Sequence, residues 1–289
     1  MLLEVILKTV VPVFLIIATG YIIGKKKKLN VQILIDLIVY IAGPALIVSS
    51  IARSDISLED FGIIAGASLA IIFAMVFLTY IILKKSNRKC LYLPMVFGNT
   101  GYLGYPVALF AFGVAGLSRA VVFDMMNSLV IFSLGVYLIN KRNQFKEIFK
   151  VPLIYAVVLG LIFNLFKIPI PDVIFNPIEM IGLITIPLAL LVLGYQLTEI
   201  RINSARTAVL ASLFKIIGGF LVALLIIKLF SIEGLAKNII LLQAAMPSAV
   251  MTMILSAKYK RDAACVASIV LITTVFSLIT IPLILWFLP

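Results

Sequence analysis

The sequence predicts an all-helical polytopic membrane protein with ten transmembrane helices. Of its 289 residues, 63% are hydrophobic and 12% are charged, whereas soluble domains carry about 45–50% apolar and about 25% charged residues. A spanning helix needs about 20 apolar residues, so the chain has room for about ten spans joined by short loops. This composition excludes a soluble globular enzyme and leaves no room for a separate soluble domain.

Ten apolar runs are separated by charged clusters or by Gly, Pro and Asn residues, and each run predicts one span. The first run lacks the basic start and the small-residue cleavage site of a signal peptide, so we expect it to remain as a true span. The ten predicted spans cover residues 3–24, 32–52, 61–83, 91–113, 117–140, 151–166, 173–198, 207–230, 236–257 and 263–288.

Basic residues are concentrated in alternate loops. The loops that follow odd-numbered spans hold 17 Lys and Arg residues, beginning with Lys25–Lys28, and the loops that follow even-numbered spans hold 4. The positive-inside rule therefore predicts cytoplasmic basic loops and two external termini in the cell (inner) membrane. The net charge of +12 then reports orientation in the bilayer, and the expected partners are membrane lipids, not nucleic acid.

The chain contains an internal repeat at an offset of 140–144 residues. Val11-Pro12 recurs as Val151-Pro152, and Pro106 in span 4 recurs as Pro247 in span 9. An ordered series of matches predicts two five-helix repeats, and because five is odd, the second repeat enters the membrane from the opposite side. Inverted repeats of this kind are typical of secondary transporters. The predicted units are residues 1–140, a short cytoplasmic linker at 141–150, and residues 151–289.

Spans 4 and 9 both carry residues that break a helix inside the membrane. Span 4 contains Gly98–Pro106, with three glycines and a proline, and its repeat mate is Gln243–Ser248. Proline removes a helical hydrogen bond, and the freed backbone groups cannot face lipid. The breaks are predicted to cross near the midplane, where half-helix N-termini favour an anionic ligand. The alternative is a kinked packing helix, and Tyr102 and Tyr105 either stack on a substrate or belong to the aromatic belt.

The run Asn99-Thr100-Gly101-Tyr102-Leu103-Gly104-Tyr105-Pro106 resembles the auxin efflux carrier family, as do Ile186–Gly194 and Ala245-Met246-Pro247. The resemblance implies the fold of the bile acid sodium symporters, in which helices 1, 2, 6 and 7 form a scaffold and helices 3–5 and 8–10 form the transport core. It also implies substrate binding where spans 4 and 9 cross, and a homodimer through helices 2 and 7. The predicted substrate-binding residues are Asn99, Thr100, Gly101, Tyr102, Gly104, Pro106, Gln243, Pro247 and Ser248.

Three polar side chains inside predicted spans are candidates for ion coupling. Asp124 in span 5 and Asn127 one turn later either bind H⁺ or Na⁺ beside the break in span 4 or form a structural hydrogen-bond pair. Lys215 in span 8 either partners a substrate carboxylate or Asp124, or extends its stem to the membrane interface. Asp36 and Glu179 are predicted to be structural groups near helix ends.

The sequence indicates neither a metal site nor a cofactor. It has no histidine, the usual general base and the commonest metal ligand. Cys90 and Cys265 are far apart in sequence without metal-ligand spacing, and we expect them to be small apolar fillers. The chain also lacks the glycine-rich phosphate loop of ATPases.

These observations predict a secondary transporter that moves a small organic anion, such as a carboxylate or an auxin-like acid, by elevator-like alternating access. A passive channel or facilitator is the first alternative, although channels usually repeat a filter around an oligomer axis. A polytopic membrane enzyme is the second alternative, and it would usually need clustered His, Asp or Cys residues.

Overall fold

The computed structural model describes residues 4, 6–84, 86, 88–140, 152–200, 202 and 204–288, and this part of the chain is helical without a strand. The predicted linker 141–150 lies outside the described residues. The helices are α1 (Leu7–Lys26), α2 (Val31–Ala52), α3 (Leu58–Leu83), α4 (Tyr92–Val96), α5 (Gly104–Ile139), α6 (Pro152–Leu165), α7 (Asp172–Leu197), α8 (Ala205–Leu229), α9 (Gly234–Ala244), α10 (Val250–Lys258) and α11 (Ala263–Phe287).

Seven of the described helices, α1, α2, α3, α5, α7, α8 and α11, are long and apolar enough to cross a membrane. The helix α6 is apolar but shorter. The short helix α4 precedes the first predicted break, and the short helices α9 and α10 flank the second. The prediction of an all-helical membrane protein is therefore confirmed. The inverted ten-span repeat stays a prediction.

The 36-residue helix α5 is a hairpin of two arms. Its backbone leaves the helical conformation at Gly113, where φ is 66° and ψ is −162°, a combination that only glycine adopts readily. In a straight helix Tyr105 and Asp124 would be about 28 Å apart, yet the Tyr105 hydroxyl lies 2.7 Å from a carboxylate oxygen of Asp124. We therefore divide α5 into α5a (104–112) and α5b (114–139), at the boundary predicted between spans 4 and 5.

Side-chain caps mark where several helices begin. The Asn30 side chain accepts a hydrogen bond from the backbone nitrogen of Gln32 at the start of α2, and Ser57 does the same for Asp60 at the start of α3. At the start of α11, the carboxylate of Asp262 accepts from the backbone nitrogen of Cys265. Each cap satisfies an amide that has no partner within its own helix.

The helices pack mainly within two groups. In the first group, α7 packs against α1 and α2, and α6 packs against α2. In the second group, α3 packs against α5 and α8, α9 packs against α5, and α11 packs against α8 and α10. The two groups correspond to predicted spans 1, 2, 6 and 7 and to predicted spans 3–5 and 8–10.

Glycines allow α1 and α7 to approach until their backbones touch. A Cβ atom at Gly194 would lie 2.9 Å from the backbone nitrogen of Tyr21, and one at Gly20 would lie 2.9 Å from the Cα of Leu191. Lipid tails are as apolar as the helix surfaces, so the hydrophobic effect does not hold helices together in a membrane. Small residues allow the close van der Waals packing that does.

Gly194→Ala should destabilise the protein, because the added methyl group meets rigid backbone that cannot move aside. The expected loss is about 1–3 kcal/mol of the free energy of unfolding, measurable as a lower melting temperature in detergent. Gly66→Ala in α3 is the matched control, since a Cβ there has no neighbour within 4 Å. Equal melting temperatures for the two variants would contradict the close packing of α1 on α7.

Candidate functional site

Two helix breaks lie side by side in the interior of the protein. The chain is non-helical between α4 and α5 at residues 97–103, and again between α9 and α10 at residues 245–249. Gly98 and Ser248 form an antiparallel bridge, in which the Asn99 nitrogen donates to the Pro247 oxygen at 2.6 Å and the Ala249 nitrogen donates to the Phe97 oxygen at 3.0 Å. We call this paired region the crossover. Each break supplies backbone partners that the other lost when its helix was interrupted.

A cavity of about 440 Å³ lies against the crossover. Its walls come from the 97–103 break, from α5b and α10 in the second helix group, and from α2, α6 and α7 in the first group. The cavity reaches Gln32, Asp36 and Lys258, which are exposed. These three residues adjoin the basic clusters 25–28 and 258–261, so the cavity extends toward the side of the basic loops.

The carboxylate of Asp124 is bound from both sides by residues of the break and of α5a. The hydroxyl of Thr100 donates to Oδ1, and the hydroxyl of Tyr105 donates to Oδ2 at 2.7 Å. The amide of Asn127 donates to Thr100 Oγ1 at 3.0 Å and to the Gly98 oxygen at 3.2 Å. Asn127 is therefore bonded directly to the backbone of the crossover, whereas Asp124 is connected to it through the side chain of Thr100, and both line the cavity.

Three buried polar atoms at the cavity have no hydrogen-bond partner among the described residues. They are Nδ2 of Asn99, the hydroxyl oxygen of Tyr102 and Oγ1 of Thr185, and all three residues line the cavity. Asn99 and Thr185 are each 4% exposed. A buried polar atom without a partner costs about 1–3 kcal/mol, so these atoms form a site that a polar ligand or water would satisfy.

Lys215 lies behind the crossover and does not line the cavity. It is 2% exposed and sits in a wide, π-helical turn of α8, Phe214–Gly218. Its ammonium donates to the oxygen of Ala244, the last residue of α9, at 3.0 Å. A Cβ atom at Gly98 would be 3.4 Å from Nζ. No described carboxylate forms an ion pair with Lys215, so it does not pair with Asp124. Because Lys215 is buried and bonded to Ala244, it does not extend to the membrane interface.

Comparison with known proteins identifies this type of chain. A family model described as "Membrane transport protein" matches residues 5–148 and 144–285. The chain belongs to that family. A protein of Methanocaldococcus jannaschii, named an uncharacterized transporter, is 32% identical over 298 aligned positions that cover 96% of each chain. A second uncharacterized transporter, from Methanothermobacter thermautotrophicus, is 28% identical over 292 positions, again with 96% of each chain covered.

These matches confirm the resemblance to the auxin efflux carrier family. They also show that the protein is an integral membrane transporter. The printed names of the two relatives state no substrate, so the nature of the transported molecule has to come from the site itself.

The predicted site residues of this transporter fall into two sets. The residues that line the cavity are Asn99, Thr100, Gly101, Tyr102, Asp124 and Asn127. Six predicted residues do not line the cavity. Pro247 and Ser248 belong to the crossover, and the others are Gly104, Pro106, Lys215 and Gln243. In the second set, the side chain of Gln243 packs directly against Gly104, where a Cβ would lie 2.9 Å from Nε2.

The cavity lining also includes Tyr105, Asp36 and Thr185, which are not among the predicted substrate-binding and coupling residues. The sequence indicates a stacking or belt role for Tyr105 and a helix-end role for Asp36, and it gives no signal for Thr185. Pro106 in the first turn of α5 was a signal that could have placed Tyr105 at the start of a half-helix, beside the break. Thr185 lies within the long apolar helix α7, and only tertiary packing brings it to the cavity.

Ser248 fastens the crossover to two neighbouring helices. Its hydroxyl donates to the oxygen of Pro94 in α4 at 2.6 Å, and its backbone nitrogen donates to Oγ1 of Thr273 in α11 at 3.2 Å. Ser248 is fully buried, so loss of the hydroxyl would leave the Pro94 oxygen without that partner.

Ser248→Ala should therefore lower the free energy of unfolding by about 1–3 kcal/mol, observed as a lower melting temperature. Ser133→Ala is the matched control, because that hydroxyl bonds only to carbonyls of the preceding turn of its own helix. A melting temperature of Ser248→Ala at the level of the control would show that the hydroxyl does not hold the crossover.

Proposed function

We propose that this transporter is a secondary carrier that moves a small organic anion by alternating access. The observation that carries the proposal is the set of unpaired polar atoms of Asn99, Tyr102 and Thr185, which face one cavity at the crossover. A volume of about 440 Å³ lies within the usual range of pockets for small molecules, about 300–1,000 Å³. We propose Asn99 as the residue whose amide binds the substrate.

The preference for an anion follows from the two half-helices that begin at the cavity. Tyr105 lies in the first turn of α5, and Val250 and Met251 lie in the first turn of α10, and all three line the cavity. A helix N-terminus carries a partial positive charge of about half an elementary charge. Two such ends beside unpaired donors favour a carboxylate, and the apolar lining from Ile47, Ile131 and Phe132 suits an organic substituent.

Asp124 supports a coupled mechanism. Two like charges 4 Å apart repel by about 4 kcal/mol at an effective dielectric constant of 20, so an ionised Asp124 opposes anion binding in the same cavity. Binding of H⁺ to the carboxylate, or of Na⁺ among the oxygens of Asp124, Thr100 and Gly98, removes that repulsion. The substrate and the coupling ion would then bind together and move together.

Lys215 adds a fixed positive group on the other side of Gly98. Its bond to the Ala244 oxygen caps the negative end of α9. We propose that Lys215 assists the anion preference through its position beside the cavity wall, without direct contact with the substrate in this conformation.

The position of the cavity between the two helix groups supports an elevator-like movement. Leu153 of α6 and Thr185 of α7 form one wall, and the crossover with α5b forms the other. If α1, α2, α6 and α7 are a fixed scaffold, a shift of the other helices would carry the crossover and its substrate toward the opposite side. A homodimer through α2 and α7 would keep the scaffold in place.

Asn99→Ala should reduce transport of the substrate at least about tenfold, because a hydrogen bond to a charged group contributes about 1.5–3 kcal/mol. The measurement is saturable uptake and counterflow in proteoliposomes with labelled dicarboxylates and indole acids. Asn176→Ala, at an exposed position of α7, is the control. Wild-type transport by both Asn99→Ala and Pro106→Ala would overturn the site, and single-channel conductance would indicate a pore.

Asp124→Asn should retain substrate exchange but lose accumulation driven by an ion gradient, because the amide keeps the shape of the carboxyl group without its proton or Na⁺ affinity. Uptake against a concentration gradient is measured under an imposed pH gradient and, separately, under a Na⁺ gradient. Asp55→Asn, on an exposed loop, should behave like the wild type. Unchanged accumulation by Asp124→Asn would remove Asp124 from the coupling step.

A further inference from the structure

The two cysteines of the chain meet at the ends of two helices that hold the crossover. Cys90 lies in the turn Lys89–Leu91 just before α4, and Cys265 lies in the first turn of α11. Their sulfur atoms are 3.2 Å apart, and both residues are half-buried free thiols. Both cysteines pack against a small apolar cluster, as expected of small apolar fillers. Tertiary packing in addition brings these two residues together, although they are far apart in sequence.

A carboxylate completes the cluster. Oxygen of Asp262 and the two sulfur atoms all lie within 4.8 Å of one another. The backbone nitrogen of Cys265 donates to Asp262 Oδ1 at 3.0 Å, which fixes the orientation of the carboxylate as the cap of α11. Asp262 is exposed, so the cluster is open to water and to dissolved ions.

We propose that Cys90, Cys265 and Asp262 form a binding site for a thiophilic divalent cation of the Zn²⁺ class. Two thiolates and one carboxylate are ligands that Zn²⁺ accepts, with a fourth position for water. With Zn–S bonds of about 2.3 Å in a tetrahedral site, the sulfurs would stand about 3.7 Å apart, so the side chains need to separate by only about half an ångström. Binding releases the two thiol protons to solvent.

A bound cation and nearby basic residues offset the negative charge of the ligands. Two thiolates and the Asp262 carboxylate carry three negative charges, and the cation supplies two positive charges. Arg88 and Lys89, just before Cys90, and Arg261, just before Asp262, are positively charged neighbours in the sequence. The site also adjoins the basic loops that we predict to be cytoplasmic, where thiol pairs more often bind metal than form a disulfide.

Cation binding at this site would act on the crossover through α4 and α11. Pro94, four residues after Cys90, accepts the Ser248 hydroxyl, and Thr273, two turns after Cys265, accepts the Ser248 nitrogen. A cation that bridges the starts of α4 and α11 therefore fixes the distance between the two helices that hold Ser248. The site lies outside the substrate cavity and does not depend on the nature of the substrate.

The test uses the purified, fully reduced full-length protein and Zn²⁺ alone. Because the chain has only two cysteines, labelling with a maleimide reports both ligands directly. We expect one Zn²⁺ per chain by elemental analysis, loss of both maleimide adducts at saturating Zn²⁺, and a higher melting temperature. Unprotected thiols at saturating Zn²⁺ would overturn the proposal.

Variants of the three proposed ligands provide a second test of the cation site. Asp262→Asn keeps a good helix cap but loses the charged ligand, so the Zn²⁺ concentration for half-maximal protection should rise at least about tenfold. Cys90→Ser and Cys265→Ser should each abolish protection of the remaining thiol, and Asp55→Asn should bind like the wild type. Wild-type Zn²⁺ affinity in Asp262→Asn would exclude the three-residue site.

Discussion

The pairing of the two helix breaks across Gly98 and Ser248 is the constraint on which the rest of the structure depends. An interrupted helix in a membrane leaves backbone groups that lipid cannot satisfy. In this protein each break provides donors and acceptors for the other, as in the bonds between Asn99 and Pro247 and between Ala249 and Phe97. The pairing permits the ends of α4, α5, α9 and α10 to meet in an apolar interior, and the cavity lies at the N-terminal ends of α5 and α10.

The crossover also explains how two ionisable side chains are accommodated in the interior. Asp124 receives the hydroxyls of Thr100 and Tyr105, and these donors stand next to the carboxylate only because the chain reverses at Gly113. Lys215 finds the free carbonyl of Ala244 at the end of α9. Each charge is thus stabilised by a group that exists because a helix is broken. Asp124 lines the cavity and Lys215 does not, and the two side chains form no ion pair with each other.

The division of the helices into two packed groups connects this local chemistry to transport. The cavity is bounded by both groups, so in the proposed mechanism a relative movement of the groups would change which face of the crossover is accessible. Close backbone contact between α1 and α7 at Gly20 and Gly194 makes the first group a firm unit. The polar bonds of Ser248 to α4 and α11 make the crossover part of the second group. Under the elevator-like movement proposed above, the second group would carry the crossover past the first.

Local features of the sequence predicted the helices and both helix breaks, while the inverted ten-span repeat stays a prediction. The apolar runs predicted the long helices, and the glycines and prolines of Gly98–Pro106 and Gln243–Ser248 located both breaks, because proline and glycine act on the backbone of their own segment. Of the candidate site, Asn99–Tyr102 were predictable for the same reason, and Asp124 and Asn127 were predictable because polar side chains inside an apolar span are costly and mark a polar site. Thr185 and the bond of Lys215 to Ala244 were not, because an apolar sequence does not specify which face of a helix meets a cavity and which meets lipid.

By itself, then, the sequence determined that the chain lies in a membrane as helices, where two of those helices break, and which polar residues stand at the first break. These properties depend on hydrophobic length and on backbone chemistry, which act over a few neighbouring residues. Only the tertiary structure decided which backbone groups of the two breaks bond to each other, that Lys215 lies behind the crossover and not in the cavity, and that Cys90 meets Cys265. Some of those contacts join residues that are more than a hundred positions apart in the sequence, and others depend on which way a helix is rotated about its axis. Both follow from tertiary packing, which no local sequence pattern encodes.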